Sequence, residues 1–416
     1  MAPYEEASVT LPDLTRLEQD ACARVERAGL LRRAPFPLDV VPRVIGGDEW
    51  ERLEEALGQR VMALNAFVAD AYGERRIVQA GVVPARVIDS AEHYEPGMRG
   101  VELAVWVGIA GLDLVRDPSG EFLVLEDNLM TPSGFAYAAA ARDALAASFE
   151  ERPRDYSGLP DLLAGVLGEG YVVVLGDGPE HGAHWELHWV AEQLGIPLVR
   201  PSELHPKGDH LVHGGQRVDG IYRRTDADLL RTEVGALLAP AIRAGTVRVV
   251  NAFGTGVGDD KLTHAYVEDM IRFYLGQDPL VRSVQTFDLA RRDHLEQALD
   301  RFDELVIKPR AGHGGIGVLV CPLAEREQVD AMRERVRADP AQWVAQPLVE
   351  LSTHATLIDG ELAQRHVDLR PFVFLHGPDR PRVMPGGLTR YARDEGQLVV
   401  NSIQNGGFKD TWVLDR

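Results

Sequence analysis

A stripe of apolar residues dominates the first part of the chain. Its members recur at intervals of three or four positions: Leu53, Leu57, Val61, Leu64, Val68 and Ala71. This spacing places them on one face of a helix, so the pattern predicts an amphipathic α-helix that packs against a core. Asp48 is positioned to cap the start of this helix, and Gly73 is expected to end it.

Shorter apolar runs follow, and they predict strands. Two such runs are Ala104–Ala110 and Leu112–Val115, and a third is Glu121–Leu125. The turn sequence Asp117-Pro118-Ser119-Gly120 precedes the third run, so we expect a hairpin here. An alanine-rich helix is predicted from about Phe135 to Ser148.

The middle of the chain has a different pattern. Tyr171–Leu175 reads as a buried strand, His184–Leu194 as a helix, and Gly195–Val199 as the start of another strand. Strand, helix and strand in this order predict a parallel, Rossmann-like unit. Val247–Val250 adds a further strand, and a helix is expected from about Asp259 to Leu275.

The last third is rich in strands and has one predicted helix, at about Glu325–Arg337. The strand candidates are Leu305–Lys308, Gly317–Val320, Trp343–Gln346, Ala363–Leu369 and Pro371–Leu375. These changes of pattern place domain breaks near residues 165 and 280. We expect a helical region with the hairpin (1–165), a Rossmann-like substrate domain (166–280) and a flap with the rest of the core (281–416). The predicted fold class is α/β with α+β elements.

Composition narrows the choice of function. The 416 residues include 44 Lys and Arg against 64 Asp and Glu, a net charge of −20. This charge argues against nucleic acid and anionic membranes as partners, because both need a positive surface. No apolar run reaches the roughly 18 residues of a membrane span. The first residues are acidic where a signal peptide needs bases, so the expected location is the cytoplasm. The two cysteines form no C-x-x-C motif and no disulfide framework.

Three polar side chains gather on the predicted hairpin. Glu126 and Asn128 lie two positions apart and therefore share one face of a strand. If Arg116 pairs with Glu121 across the turn, Asp113 lies on the same face and diagonal to Glu126. Three oxygen-bearing side chains on one face suit Mg²⁺, which proteins usually share with phosphates. A solvated polar face without an ion is the alternative.

A glycine-rich segment lies early in the last third. Gly312, Gly314 and Gly317 match G-x-G-x-x-G, and Gly315 adds a fourth glycine. A dinucleotide fingerprint runs from a strand into a helix, whereas the residues after Gly317 predict a strand. A glycine turn between two strands is typical of a flap over nucleotide phosphates. Lys308, just before this flap, would supply positive charge. A flexible hairpin with a surface lysine is the alternative.

Other charged residues are candidates for phosphate binding. Asp368 and Arg370 alternate with apolar residues, so they share a strand face, and Arg370 could clamp a phosphate or simply pair with Asp368. Arg390 follows a glycine pair further on. Lys261 lies near the start of a predicted helix after a glycine-rich loop, where anions can bind. The P-loop, zincin and α/β-hydrolase motifs do not occur in the sequence.

Taken together, these motifs resemble those of ATP-grasp enzymes of the circularly permuted branch. Asp113, Glu126 and Asn128, followed by Pro132-Ser133-Gly134, resemble the Mg²⁺-binding signature of carboxylate–amine ligases. Lys308 and its glycine segment resemble the family's nucleotide lysine and phosphate loop. In the usual order this lysine precedes the metal signature, but here it follows by about 180 residues, which is the mark of the permutation. Further matching segments are Gly254–Val257 with Asp260-Lys261, His366–Phe372 and Pro385–Arg390.

The resemblance implies a role for each matching residue and two cofactors, ATP and Mg²⁺. The implied metal ligands are Asp113, Glu126 and Asn128. The implied ATP-binding residues are Lys261, Lys308, Gly312, Gly314, Gly315, Gly317 and, near the adenine, Gln346. The implied catalytic residues are Arg370, Arg390 and Lys261. The fold would be a circularly permuted ATP-grasp fold in which the early hairpin and the late strands share one ATP site.

The implied reaction is ADP-forming and creates a C–N bond. A substrate carboxylate attacks the γ-phosphate, and an amine then attacks the acyl-phosphate to give an amide. The substrates would be small molecules, namely an amino acid or a small peptide and an amine. Candidate substrate contacts are Arg223, Arg224 and Glu186. His313 and Phe253 depart from the pattern expected of relatives, and they would reshape the substrate pocket.

Two other interpretations use the same residues. The ATP site could phosphorylate a hydroxyl group, which would make the chain a small-molecule phosphotransferase. It could also bind ATP without catalysis and present a surface to a partner. Because Glu126, Asn128 and Arg370 all occupy the positions that the chemistry needs, catalysis is favoured over simple binding. A homo-oligomer is compatible with the sequence.

Overall fold

The computed structural model of the protein describes residues 9–27, 37–225, 232–312, 315–397, 400 and 406–415. His313 and Gly314 of the flap lie outside the described residues. The helices are α1 (Leu14–Arg27), α2 (Gly47–Tyr72), α3 (Arg76–Gln79), α4 (Ala85–Asp89), α5 (Phe135–Leu145), α6 (Leu159–Leu167), α7 (His184–Leu194), α8 (Glu233–Arg243), α9 (Lys261–His264), α10 (Val267–Leu275), α11 (Arg292–Asp300) and α12 (Arg326–Ala338).

The strands lie between and after these helices along the chain. They are β1 (Arg43–Gly46), β2 (Ile109–Arg116), β3 (Phe122–Asn128), β4 (Val172–Leu175), β5 (Leu198–Val199), β6 (His205–Lys207), β7 (His210–His213), β8 (Gln216–Val218), β9 (Gly220–Arg223), β10 (Arg248–Val250), β11 (Arg282–Ser283), β12 (Phe287–Asp288), β13 (Leu305–Pro309), β14 (Leu319–Val320), β15 (Trp343–Pro347), β16 (Thr353–Ile358), β17 (Glu361–Arg370), β18 (Phe372–Leu375), β19 (Pro381–Val383), β20 (Gly387–Tyr391) and β21 (Gly407–Leu414).

A mixed sheet of ten strands forms the centre of the described structure. Its main path runs β1-β21-β20-β17-β2-β18-β19, and β3 pairs with β2 beside this path. β1 is parallel to β21, with Arg43 opposite Thr411 and Gly46 opposite Leu414. Strands from the first and the last third of the chain therefore lie side by side, so residues far apart in sequence meet on this sheet.

The middle of the chain forms a separate parallel sheet in the order β10-β9-β4-β5. Val173 of β4 pairs with Ile221 of β9, and Val174 of β4 pairs with Leu198 of β5. α7 connects β4 to β5 and has the predicted bounds. The strand–helix–strand prediction is confirmed for this segment, while the domain limits at residues 165 and 280 stay a prediction.

A further sheet, in the order β12-β15-β13-β14, carries the glycine-rich segment. β13 and β14 are antiparallel, with Ile307 opposite Leu319, so the segment connects two strands as predicted. The apolar cluster around this sheet includes Phe302, Met332 and Trp343. It is separate from the two clusters that fill the rest of the described core.

α2 contains the apolar stripe that the sequence predicted. Leu57 and Val61 are fully buried on the face of α2 that packs against the core. Burial of each large apolar side chain stabilises the fold by roughly 1.5–3 kcal/mol. Gly73 ends the helix as predicted. The cap prediction for Asp48 was wrong, because the cap position is Gly46 and Asp48 lies inside the first turn. None of the described helices combines enough length and apolar character to traverse a bilayer.

The hairpin of β2 and β3 differs from the predicted one in register. The second predicted run lies in β2, but only Ile109 and Ala110 of the first run do, so the separate strand predicted over Ala104–Ala110 was wrong. Arg116 pairs with Phe122 instead of Glu121. A β-bulge beside Asp113 then shifts the pairing, so that Asp113 lies directly opposite Glu126. The predicted diagonal arrangement was wrong for two reasons: the pairing at the turn is shifted by one residue, and the unpaired Leu125 shifts the pair of Asp113 by one more.

We expect the buried ion pair between Arg142 of α5 and Asp410 of β21 to be important for stability. Both side chains are almost fully buried. Arg142→Ala leaves the carboxylate without its cation, so the free energy of unfolding should fall by about 3–5 kcal/mol in urea denaturation. Arg292→Ala is the control, since the Arg292–Glu296 pair is exposed and should contribute less than about 1 kcal/mol. Equal losses in the two variants would contradict this expectation.

Candidate active site

A cleft lies between the β2–β3 hairpin of the central sheet and strands β13 and β15 of the sheet that carries the glycine-rich segment. Its apolar lining includes Val115, Leu125, Val306, Val318, Val320, Leu348, Val349 and Leu351. Its charged and amide-bearing lining consists of Asp113, Glu126, Asn128, Lys261, Lys308, Gln346, Asp368, Arg370 and Arg390. All predicted metal and catalytic residues, and most of the predicted ATP-binding residues, therefore meet in one cleft.

The hairpin positions the acidic side of the cleft. Asp113 and Glu126 face each other across the two strands, and Asn128 lies two positions further along β3. The turn before β3 is held by Asp117, whose carboxylate accepts two backbone N–H groups at 2.9 and 3.1 Å. Asp113 is buried, whereas the side chain of Glu126 is 35% exposed. Glu126 is thus the carboxylate of this pair that is open to a ligand.

Both oxygens of Asp113 are bound by arginines from neighbouring strands. Arg370 donates from Nε and Nη2 at 2.5 and 2.8 Å, and Arg390 donates from Nη2 at 2.8 Å. Burial by itself would raise the pKa of Asp113, but the charges of Arg370 and Arg390 outweigh it and hold the pKa at about 2. Asp368 lies opposite Arg390 in the sheet and pairs with it. Arg390 therefore bridges Asp113 and Asp368, whereas Arg370, for which a pair with Asp368 was the predicted alternative, binds Asp113 instead.

Lys308 extends from β13 into the cleft. Desolvation lowers its pKa to about 8, although the negative charge of Glu126 opposes this shift. Lys261 lowers the pKa further, and Asp113 opposes it. The ammonium group therefore lacks full compensation by the protein, and an anion in the cleft would stabilise its charge.

Lys261 links the hairpin to the flap. Its Nζ donates to the carbonyl oxygen of Gly312 at 2.7 Å and lies 3.3 Å from Oε1 of Glu126. Asp260 caps α9, of which Lys261 is the first residue, and Arg310 donates to both oxygens of Asp260 at 3.2 and 2.9 Å. The helix predicted over residues 259–275 is divided into α9 and α10, and this short α9 holds Lys261 at the cleft.

The flap glycines adopt backbone conformations that other residues rarely take. Gly312, Gly315 and Gly317 have φ angles of 99°, 75° and 76°. Gly315 lines the cleft, and a Cβ atom on Gly317 would lie 3.3 Å from the ring of Pro309. At Gly315 the cleft is therefore bordered by backbone without a side chain, as a segment that covers phosphates requires. The roles of these glycines stay a prediction.

Gln346 lies on β15 at the inner end of the cleft. Its Nε2 donates to Oγ1 of Thr286 at 2.8 Å, and that hydroxyl donates to the carbonyl of Val284 at 3.0 Å. The side chain is therefore fixed in orientation. Its predicted position near adenine is compatible with this placement and stays a prediction.

Two of the predicted substrate residues lie beside the cleft. Arg224 and Glu186 form an ion pair in which Glu186 is fully buried. Ser133 joins them, because its hydroxyl accepts from Arg224 at 2.7 Å and lies 2.7 Å from Glu186. The carbonyl of Ser133 also accepts from Nη1 of Arg370 at 3.3 Å. Ser133 therefore connects the Arg224 pair to a central arginine.

Arg223 is directed into the core instead. It is 3% exposed, and its guanidinium lies 3.8 Å from the centre of the Phe253 ring. Its Nε donates to the carbonyl of Asn251 at 3.2 Å. These contacts give Arg223 a position at the end of β9, next to Arg224 but outside the lining of the cleft.

A buried network behind the cleft was not predicted. Asp127 follows Glu126 and faces the other side of β3, where Arg60 of α2 binds both of its oxygens at 2.7 Å. His264 of α9 lies 2.8 Å from the same carboxylate. Burial opposes ionisation, but Arg60 holds the pKa of Asp127 well below its usual range. A sequence feature that could have indicated this network is Arg60, a charged residue within the buried part of α2.

Glu126 and Asn128 are the residues best placed to hold Mg²⁺. This ion usually takes one or two protein carboxylates and completes its shell with phosphates and water. The Nδ2 atom of Asn128 is buried and has no partner among the described residues, so rotation of the amide would cost no hydrogen bond. Asp113 is engaged by two arginines, and the described residues contain no group of three His, Cys, Asp or Glu side chains arranged for a metal. The residues fit an ion that is shared with nucleotide phosphates.

Comparison with known proteins identifies the family. The profile of the circularly permuted ATP-grasp type 2 family matches residues 42–392, and the chain belongs to this family. A solved structure of a glutathione synthetase-like effector from Globodera pallida, in its apo form, is similar with a TM-score of 0.64 at 10% identity. The match covers 98% of this chain and 100% of that chain. The similarity supports the mixed α/β fold.

Several proteins are similar in sequence. An uncharacterized protein of Mycobacterium tuberculosis is 42% identical over 407 residues, which cover 91% of this chain and 74% of the relative. An uncharacterized protein of Synechocystis sp. is 40% identical over 406 residues, or 91% of this chain and 84% of the relative. A protein of Frankia casuarinae with the provisional name glutamate–cysteine ligase 2-2 is 43% identical over 409 residues. That match covers 92% of this chain but 47% of the Frankia protein, so the chain spans about half of its length.

Nucleotide binding should weaken at alkaline pH because of Lys308. Below pH 8 the lysine is charged and attracts phosphate, and above pH 8 the free protein loses this charge. The dissociation constant of Mg²⁺-ADP, measured by calorimetry, should therefore rise about eightfold between pH 7.5 and 9. Lys308→Met is the control and should bind more weakly at pH 7.5 with little further change. An equal decline in both proteins would assign the pH dependence to another group.

Proposed function

We propose that the chain is a Mg²⁺- and ATP-dependent ligase that joins a carboxylate to an amine and forms an amide, peptide or isopeptide bond. The observation that carries this proposal is the meeting of four cations in one cleft: Lys261, Lys308, Arg370 and Arg390. Asp113, Glu126 and Asp368 balance three of these charges and leave a positive excess, which suits the phosphates of a nucleotide that carries a divalent ion. The apolar walls between two sheets suit a flat base. Glu126, which lies on the hairpin itself, offers the carboxylate that a divalent ion requires.

The proposed roles follow from how each side chain is held. Lys261 and Lys308 bind nucleotide phosphates. Arg370 and Arg390 are oriented by Asp113 before any ligand binds, so they can stabilise negative charge on the transferred phosphoryl group with little rearrangement. Mg²⁺, when bound, would neutralise phosphate charge and make the phosphorus more electrophilic.

The proposed reaction has two steps. In the first, an oxygen of the substrate carboxylate attacks the γ-phosphorus of ATP, the bond to the bridging oxygen breaks, and ADP leaves. In the second, the amine nitrogen attacks the carbonyl carbon of the acyl-phosphate, phosphate leaves, and the nitrogen loses a proton. The products are an amide, ADP and phosphate, and no covalent bond to the protein is required.

Arg224 supports an amino acid or small peptide as the substrate. Its side chain is 17% exposed, and Ser133 holds it beside Arg370. An arginine in such a fixed position can recognise the free carboxylate of a substrate with two parallel hydrogen bonds. The provisional name of the Frankia relative, glutamate–cysteine ligase, supports the same class of reaction.

Phosphate release from Mg²⁺-ATP tests the proposal. A panel of amino acids, small peptides and amines, offered singly and in pairs, should contain a pair that triggers release by the wild type. Mass spectrometry should show the product of amide formation. Glu126→Gln should reduce the rate at least about 100-fold, because it removes the anionic oxygen that would hold Mg²⁺ against the reacting phosphates.

Glu121→Gln is the matched control. Glu121 lies on the same hairpin, but its side chain is exposed and pairs with Arg282 at the surface, so this variant should keep full activity. A phosphorylated substrate without an amide would identify a phosphotransferase instead. ATP binding without turnover over the whole panel would contradict the ligase proposal and favour a binding module.

A further inference from the structure

The two lysines of the cleft belong to two different packing units. Lys261 begins α9, and the next residue, Leu262, is buried in the apolar cluster that contains the core face of α2. Lys308 lies on β13, where Leu305 and Ile307 are buried in the cluster of the sheet that carries the glycine-rich segment. Neither cluster by itself fixes the distance between the two ammonium groups, so this distance depends on the contacts between the two units.

The two ammonium groups repel each other. Both lysines line the cleft, and besides desolvation the charge of Lys261 lowers the pKa of Lys308. Glu126, which lies 3.3 Å from Nζ of Lys261, offsets part of this repulsion. Without a bound anion the repulsion acts to widen the cleft, and an attraction between the two units has to oppose it.

An ion pair between Arg310 and Asp260 supplies such an attraction. Arg310 lies two positions after Lys308, and its backbone N–H continues the pairing of β13 with β15. Asp260 precedes Lys261 and caps α9, because its carboxylate accepts from the backbone N–H of Leu262 at 2.8 Å. Each member of the ion pair is thus fixed to the backbone next to one of the two lysines.

The ion pair has little freedom to change its length. Nε and Nη2 of Arg310 donate to the two oxygens of Asp260 at 3.2 and 2.9 Å, and the two side chains are only 6% and 5% exposed. The remaining Nη1 donates to Oγ of Ser90 at 2.8 Å. Two parallel hydrogen bonds restrict both distance and angle, and burial protects the pair from screening by salt.

Other contacts between the two units are less suited to this task. Asp288 of β12 binds Arg86 and Tyr266, but β12 is separated from β13 by β15. Nζ of Lys261 donates to the carbonyl of Gly312 at 2.7 Å, and a bound phosphate would compete for this same ammonium group. Among the described contacts, the Arg310–Asp260 pair is therefore the one best placed to set the separation of the lysines.

We propose that Arg310 and Asp260 are positioning residues that hold Lys261 and Lys308 at a fixed separation in the empty cleft, ready for a ligand with two or more linked phosphates. The inference rests on the proposed function, because it takes the lysines as ligands of nucleotide phosphates. If the pair is broken, the cleft is open for most of the time, and the apparent affinity for the polyphosphate falls by the fraction that remains closed.

Dissociation constants of Mg²⁺-ADP, measured by calorimetry, and of adenosine, measured by ligand-detected NMR, test this without any turnover. Arg310→Met and Asp260→Asn should each weaken ADP binding at least about tenfold, which corresponds to a closed fraction of about one in ten. Adenosine has no phosphate for the lysines and should bind within about twofold of its wild-type affinity. The double variant should bind ADP as weakly as either single variant, and not about 100-fold more weakly than the wild type, because both substitutions remove the same contact.

Arg301→Met is the matched control. Arg301 lies shortly before β13, but its pair with Glu304 is exposed, so this variant should keep the wild-type affinity for ADP. If Arg310→Met does not fold, Arg310→Lys takes its place. This variant keeps the charge beside Asp260 but loses one of the two parallel hydrogen bonds, so ADP binding should weaken about three- to tenfold while adenosine binding stays unchanged.

Wild-type affinity for ADP in the folded Arg310 variants would overturn this inference and leave the ligase proposal standing. An equal loss of adenosine binding would overturn it as well, since it would assign the ion pair to the general stability of the site. Additive losses in the double variant would have the same consequence. Failure of the wild type to bind ADP would overturn the proposed nucleotide site itself.

Discussion

Compensation of the buried charge of Asp113 determines the arrangement of the cleft. Removing a carboxylate from water costs several kcal/mol unless cations replace the lost hydration, and Arg370 and Arg390 do so from two adjacent strands. Asp368 balances the remaining charge of Arg390. The sheet makes this possible, because β17 and β20 place Asp368 opposite Arg390, and the bulged hairpin brings Asp113 within reach. The arginines are held by protein contacts, and this spares a ligand the entropy cost of ordering them.

Local features of the cleft could be predicted from the sequence. The turn at Asp117 and the glycine-rich segment after Lys308 consist of residue types that are characteristic of such turns. The alternation along β17 correctly placed Asp368 and Arg370 on one face. The β-bulge beside Asp113 could not be predicted from the sequence, because it consists of one unpaired residue between the two strands and no residue type is specific for it. The prediction therefore found the members of the hairpin site but placed Asp113 diagonal to its actual neighbour.

Contacts between distant segments could not be predicted in this way. Arg60 and Asp127 are 67 positions apart, and Arg60 and His264 are 204 apart. In its own segment each is an ordinary charged or polar residue, and only the packing of α2, β3 and α9 makes the three a buried network. The contacts of Ser133 could not be predicted either, because they connect Arg224, which follows β9 of the parallel sheet, with Arg370 of the central sheet. A family resemblance assigns roles to residues in motifs, whereas the contacts of Arg60 and His264 with Asp127 depend on how distant elements pack.

The parallel pairing of β1 with β21 affects how the chain can fold during synthesis. β1 has no neighbour in the central sheet until residues 407–414 have left the ribosome, whereas the strands of the parallel sheet all lie between residues 172 and 250. The parallel sheet can therefore form while later residues are still being translated. The β1 edge of the central sheet has to wait, because β21 connects it to the other strands. Until then β1 is an unpaired strand that can associate with other nascent chains. A translational pause before residue 407 would prolong that exposure and increase the demand for chaperones.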